Sequence, residues 1–263
     1  NVYMQIITSA QNARFKDILK LANKQSYRRQ QNLAILEGAH LAEEWLQTFG
    51  TPEICLIRSG GGQSKELTEL VKKCEQIGAD ILGLSENLFN KISPVEHSLG
   101  IIFIVKIPGP KLINPLAGTV ILENIQDPGN LGTILRSAAA SGVEQIICSN
   151  DTVGAWSPKV LRAAMGAHFR LNIHENQDLT AVCSELKVPI YATSLDAKKS
   201  IYDKDLKPAS AWVFGNEGAG VSEDLQDLAT EKVIIPQVSD VESLNVAMAA
   251  TICLFEQNRQ RIK

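Results

Sequence analysis

Three short runs of glycine and small polar residues carry the candidate chemistry of this chain: DPGNLG (Asp127–Gly132), FGNEGAG (Phe214–Gly220) and IPQVSDVESLN (Ile235–Asn245). Each follows an apolar stretch that reads as a buried strand, reaching Leu122, Val213 and Ile234. Taken singly, each run is ordinary turn wording, because glycine supplies turn conformations without steric cost. Taken together they fit one crevice, since an open parallel sheet binds its ligands beyond the carboxyl ends of its strands. Gly215, Gly218 and Gly220 would let a backbone come close to such a ligand. Glu217 is the strongest carboxylate candidate. Ser243 and Asn245 stand where a helix should start, with Ser243 read as an N-cap worth about 1 kcal/mol.

Other chemistries are disfavoured by what the chain lacks. Neither G-x-G-x-x-G after a first strand nor G-x-x-x-x-G-K-[ST] occurs, so the standard NAD and ATP loops are not expected. Cys55, Cys74, Cys148, Cys183 and Cys253 are scattered and form no C-x-x-C, and His40, His97, His168 and His174 share no ligand spacing. No metal site and no disulfide framework is expected, and a reducing cytoplasm is the expected compartment. No apolar run reaches the roughly 18–20 residues of a membrane span. Met4 reads as the natural start, with Asn1–Tyr3 placed ahead of it.

The elements that must hold these runs follow from periodicity. Residues 10–26 read as one helix, with Phe15, Ile18, Leu19 and Ala22 on one face. Short strands are expected at 32–38, 53–57, 79–84 and 100–105, with helical stretches between them such as 65–77. Pro108, Pro110 and Pro115 then break regular structure. Beyond them, strands are expected at 118–124 and in EQIICS, VPIYATS, AWVFGN and KVIIP. A helix follows Asp127 and ends near Gly142, and a last helix runs from Ser243 to about Gln257. Strands rich in Val and Ile that alternate with helices argue for a mostly parallel sheet covered on both faces.

With 263 residues, 44% apolar and 21% charged, the chain has ordinary globular usage, and two α/β domains fit it best. The division expected is 1–107, a linker at 108–116, and 117–263. The net charge of −3 says nothing for or against a polyanion partner, which would need a local basic patch. Residues 14–29 provide one: Arg14, Lys16, Lys20, Lys24, Arg28 and Arg29 stand against Asp17 alone, a net +5. Lys159, Arg162 and Arg170 form a second basic stretch.

DPGNLGTILRSAAASGV, VFGNEGAGVS and IPQVSDVESLNVAMA, in this order, resemble the three motifs of the SpoU (TrmH) family of the SPOUT superfamily. The resemblance covers Leu122 to Ala250, and SPKVLRAAMGAHFRL is similar to the family's segment between its first two motifs. It implies a mostly parallel α/β methyltransferase domain with a deep trefoil knot, preceded by a smaller RNA-binding α/β domain. It also implies methyl transfer from S-adenosylmethionine to a ribose 2'-hydroxyl of structured RNA, rRNA rather than tRNA by analogy, without metal and as a homodimer. The rival expectation is a noncatalytic RNA-binding protein on the same fold. By the same resemblance, Thr193, Gly215, Asn216, Gly220, Ile235 and Leu244 hold the cofactor. Arg136 is the essential residue, with Asn130 beside it, and either activates the hydroxyl, fixes a phosphate or stabilises the developing alkoxide; Glu217 holds Arg136 or orders its own turn, and Ser243 and Asn245 stand at the crevice. Gln237 departs from the family's usual methionine and Ser239 from its usual glycine.

Overall fold

The computed structural model describes residues 4–62 and 64–262, so the expectation about Asn1–Tyr3 lies outside the described residues. The chain divides into two compact units: Asn1–Gly109 with Trp156–Arg162, and Pro110–Ala155 with Ala163–Lys263.

The first unit runs β1 (Gln5–Ile7), α1 (Ala13–Asn23), α2 (Gln25–Gln31), β2 (Leu33–Glu37), α3 (Ala39–Thr48), β3 (Ile54–Arg58), α4 (Lys65–Gln76), β4 (Ile81–Leu84), α5 (Glu86–Ile92) and β5 (Ile101–Lys106). Its sheet has the order β1-β4-β3-β5-β2, with β1 and β3 parallel to β4, and β5 antiparallel to both β3 and β2. Phe15, Ile18 and Leu21 of α1 and Phe89 of α5 close one core with Ile35, Leu56, Leu82 and Ile104 of the sheet.

The helix expected over 10–26 is in fact two. Asn12 caps α1 by accepting from the Arg14 and Phe15 amides, and Lys24 interrupts the helix in an extended conformation at φ −124°. This break turns Arg28 inward. Its guanidinium donates to the terminal α1 carbonyls of Leu21, at 2.8 Å, and Ala22, at 3.3 Å, satisfying groups that a helix end leaves open. Arg28, expected to contact RNA, is instead a buried structural residue.

The second unit runs β6 (Thr119–Leu122), α6 (Pro128–Ala140), β7 (Gln145–Ser149), α7 (Pro158–Ala164, shared with the first unit), β8 (Asn172–Gln177), α8 (Leu179–Glu185), β9 (Ile190–Thr193), β10 (Lys199–Ser200), β11 (Ala211–Phe214), α9 (Glu223–Leu228), β12 (Glu231–Ile234) and α10 (Val246–Arg261). The sheet order is β10-β12-β9-β11-β6-β7-β8 and every pairing is parallel. Side chains alternate across β11. Ala211 and Val213 join the core beneath α8 and α9, whereas Trp212 on the opposite face donates its indole N–H to Gln257 of α10 at 3.2 Å. The buried Gln257 amide also donates to the Leu206 carbonyl and Ser210 Oγ, both at 2.8 Å, which fixes α10 against the sheet.

From Pro110 onward the expected linker is tied into this unit. Gln145 exchanges two hydrogen bonds with the Asn114 backbone, and Lys111 N donates to Asn172 Oδ1 at 2.7 Å.

Candidate functional site

Strand register brings the three distant runs together. β11 lies between β6 and β9, pairing Phe214 with Leu122 and Val213 with Ala192, while β12 flanks β9 on its other side and pairs Val233 with Thr193. The parallel sense places all four carboxyl ends at one edge, so the segments beginning at Glu123, Ser194, Gly215 and Ile235 leave the sheet side by side. Asn124, at φ 53°, turns the first of them. The Asn216 amide group donates to the Asn124 carbonyl at 2.9 Å, joining the turn that precedes the first run to the second run.

Glu217 is the hub of the junction. Its carboxylate accepts from the backbone amides of Asp127, at 3.0 Å, and Gln126, at 3.2 Å, and from Asn130 Nδ2 at 3.4 Å. Burial works to raise its pKa, but these donors outweigh it and hold the carboxyl below its ordinary value. Asn130 Oδ1 in turn accepts from Asn245 Nδ2 at 3.0 Å. Asn245, Asn130 and Glu217 thus form a continuous side-chain chain through the third, first and second runs.

Beside this junction lies a cavity of about 310 Å³, lined by Thr193, Gly215, Asn216, Glu217, Gly220, Ile235, Gln237, Ser243 and Leu244, with Phe214, Val233 and Val246 among its apolar walls. All six residues expected to hold a cofactor therefore line one space. Gly215 has a different reason to be glycine than the sequence suggested. A Cβ there would overlap the backbone of Gly220 and Val221, across the tight turn closed by the Asn216–Gly220 bridge. Gly220 itself sits at φ 71°, a conformation that favours glycine.

Several expectations are corrected by the geometry. The last helix begins at Val246 rather than Ser243, and its cap is Asn245, whose Oδ1 accepts from Ala247 N at 2.9 Å and Met248 N at 3.1 Å. Ser243 is exposed in the preceding loop and caps nothing. Glu217 binds the start of α6, and it forms no hydrogen bond or ion pair with Arg136. Arg136 lies on the exposed side of α6, with no hydrogen-bond or ion-pair partner among the described residues, and it does not line the cavity.

Among the basic residues, Arg14 pairs with Asp80, Lys20 lies 5.5 Å from the centre of the Tyr27 ring, and Lys16, Lys24, Arg29 and Lys159 are exposed. Arg162 is not an open cation: its Nη1 donates to the buried Glu37 carboxylate at 3.0 Å, within the first unit. His168 and His174 are buried, and burial pushes His168 down to about 4, so both read as structural. Among the described residues no group of three His, Cys, Asp or Glu side chains could hold a metal ion, and no helix is long and apolar enough to cross a membrane.

Sequence reasoning missed Gln126. Its side chain donates to Asn124 Oδ1 at 2.6 Å and to the Asp151 carbonyl, while its backbone amide meets Glu217. Its place before the Asp-Pro turn was the only available signal.

Comparison with known proteins gives two family matches. Residues 118–255 match the SpoU rRNA Methylase family, and residues 12–102 match the MRM3-like substrate binding domain. The chain is 32% identical to the 23S rRNA (guanosine(2553)-2'-O)-methyltransferase RlmP of Bacillus subtilis, over 96% of this chain and 98% of that protein. It is 30% identical to the mitochondrial rRNA methyltransferase 3 of Homo sapiens, over 94% of this chain and 72% of that protein. Among solved structures, an AdoMet-bound rRNA methyltransferase from Sinorhizobium meliloti superposes with a TM-score of 0.87 at 28% identity, covering 99% of both chains.

Proposed function

The chain belongs to the SpoU rRNA methylase family, and from that membership we infer that it transfers a methyl group from S-adenosylmethionine to a ribose 2'-hydroxyl of ribosomal RNA. The observation that carries this reading is the Asn245–Asn130–Glu217 chain, which draws all three runs together beside one cavity. At about 310 Å³ the cavity lies at the lower end of small-molecule sites, which span roughly 300–1,000 Å³.

When bound, the cofactor supplies an activated methyl group on a sulfonium, which leaves the protein the tasks of positioning and of handling one proton. Gly215, Asn216 and Gly220 would present backbone to the cofactor, Ile235 and Leu244 would cover it, and Thr193 would bound the cavity from β9. Glu217 and Asn130 hold the start of α6, the helix that carries Arg136. Arg136, exposed on α6, is assigned an anionic contact, either an RNA phosphate or the developing alkoxide. The basic residues of α1 and its flanks would meet phosphates and position the RNA without reading bases.

The reading extends to trefoil threading of the chain around the cofactor and to a homodimer in a reducing cytoplasm. Five free, buried cysteines support the compartment, and Met248 and Phe255, one heptad apart and exposed on α10, support a second copy as partner.

The test is methyl transfer to rRNA from cells lacking the gene, beside calorimetry with the cofactor. Arg136→Ala should lower transfer by about 100-fold or more, the scale of losing a transition-state donor, with cofactor affinity within about twofold. Turnover retained in that variant overturns the assignment of Arg136. Cofactor binding without transfer by the wild type would replace an enzyme with an RNA-binding protein.

A further inference from the structure

The residues that line the cavity include two carboxylates, Asp196 and Glu217, and no lysine, arginine or histidine. Glu217 is already engaged: besides the Gln126 and Asp127 amides and Asn130, it accepts from Asn216 Nδ2 at 3.4 Å. Asp196 is exposed, and its carboxylate has no hydrogen-bond or ion-pair partner among the described residues. Its backbone is nevertheless held. Asp196 N donates to Ser194 Oγ at 3.2 Å, Ala197 N to the Ser194 carbonyl at 3.3 Å, and Ser194 N to the Val233 carbonyl at 3.0 Å, which ties the turn after β9 to β12. A lining that carries negative charge and no cation favours a ligand group of positive charge. S-adenosylmethionine has two such groups, the sulfonium and the α-ammonium, and only the ammonium has N–H groups to donate. Its ribose hydroxyls are neutral and would make the weaker bond to a full negative charge. The apolar walls, Phe214, Val233 and Val246, suit the adenine instead.

We propose that the Asp196 carboxylate recognises the α-ammonium of the cofactor, a charge-assisted contact that anchors the methionine end and so positions the sulfonium methyl. The assignment rests on the S-adenosylmethionine reading above. It adds to the site a residue of the turn after β9, outside the three glycine-rich runs. It also leaves the α-carboxylate of the cofactor to backbone amides and neutral side chains, since the lining offers it no cation.

The experiment is calorimetric binding of S-adenosylhomocysteine and of 5'-methylthioadenosine to wild type and Asp196→Asn, with the ligand-free melting temperature of each protein. The two ligands share adenine, ribose and the thioether, but 5'-methylthioadenosine lacks the amino-acid end. Asp196→Asn should weaken S-adenosylhomocysteine about tenfold or more, the effect of a hydrogen bond between charged groups, and leave 5'-methylthioadenosine within about twofold. The ligand-free melting temperature should not move, because the exposed carboxylate holds no other described group. A lowered one would make Asp196 a residue of the fold and overturn the proposal. Equal losses for both ligands would put the carboxylate on ribose or base, and an unchanged affinity for S-adenosylhomocysteine would remove it from the site. Either result overturns the ammonium contact while leaving the cofactor reading intact. Failure of the wild type to bind S-adenosylhomocysteine overturns the cofactor reading, and this inference with it.

Discussion

Glu217 shows what a single side chain contributes here. An exposed turn glutamate would be a solvated charge, yet this one accepts two backbone amides at the start of α6 and the Asn130 side chain. Its folded pKa is depressed, so its stabilising contribution is present above the unfolded value, about 4.3, and is lost as pH falls through that value toward the folded one. Glu217→Gln should therefore destabilise the protein by about 1–2 kcal/mol at pH 7. The gap from wild type should close as pH drops below about 4. Urea unfolding of both proteins across pH 3–7 measures it, and a pH-independent gap would mean that the charge is not what matters. The sequence singled out Glu217 by its glycine-rich setting but not its partners, because the amides it binds lie 90 and 91 positions earlier in the chain.

At the scale of elements, apolar runs placed most strands well. The runs at 32–38, 53–57, 79–84 and 100–105 became β2 to β5 with ends shifted by one or two residues. β8, Asn172–Gln177, escaped because it is an edge strand of mostly polar residues, and the three-residue β1 was too short to show a period. Caps were less legible than strands. Ser243 and Asn245 are both good N-cap residues, and only the backbone decides between them: Asn245 makes the cap bonds and also donates to Asn130. Asn245→Ala should cost about 1 kcal/mol or more and weaken cofactor binding by loosening the junction, whereas Ser243→Ala should change stability by less than about 0.5 kcal/mol. Thermal melts of the two variants with and without S-adenosylhomocysteine separate them. Equal losses would return the cap to Ser243.

At the scale of the molecule, the net charge of −3 conceals how charge is distributed. The stretch around α1 is basic, but its cations are not equivalent: Arg28 is buried and Arg14 is paired, whereas Lys16, Lys20 and Lys24 are exposed. If these lysines meet phosphates, replacing all three with glutamine should weaken RNA binding and reduce the salt dependence of log K by about 2–3, at roughly 0.7–0.9 per phosphate contact. Cofactor affinity should stay unchanged, because the three residues and the cavity belong to different units. Filter binding across a salt series reads the slope, and an unaltered slope would remove α1 from the RNA contacts.

The sequence by itself determined the two α/β segments, the positions of most strands and the three runs at the strand ends, because hydrophobic period and glycine-rich turns are local properties of a chain. Tertiary structure alone decided which partners those residues found. It seated β11 between β6 and β9, carried Glu217 to the start of α6, made Asn245 the cap, buried Arg28 and paired Arg162 with Glu37. Those outcomes depend on pairings between residues far apart in the chain, which no local pattern encodes.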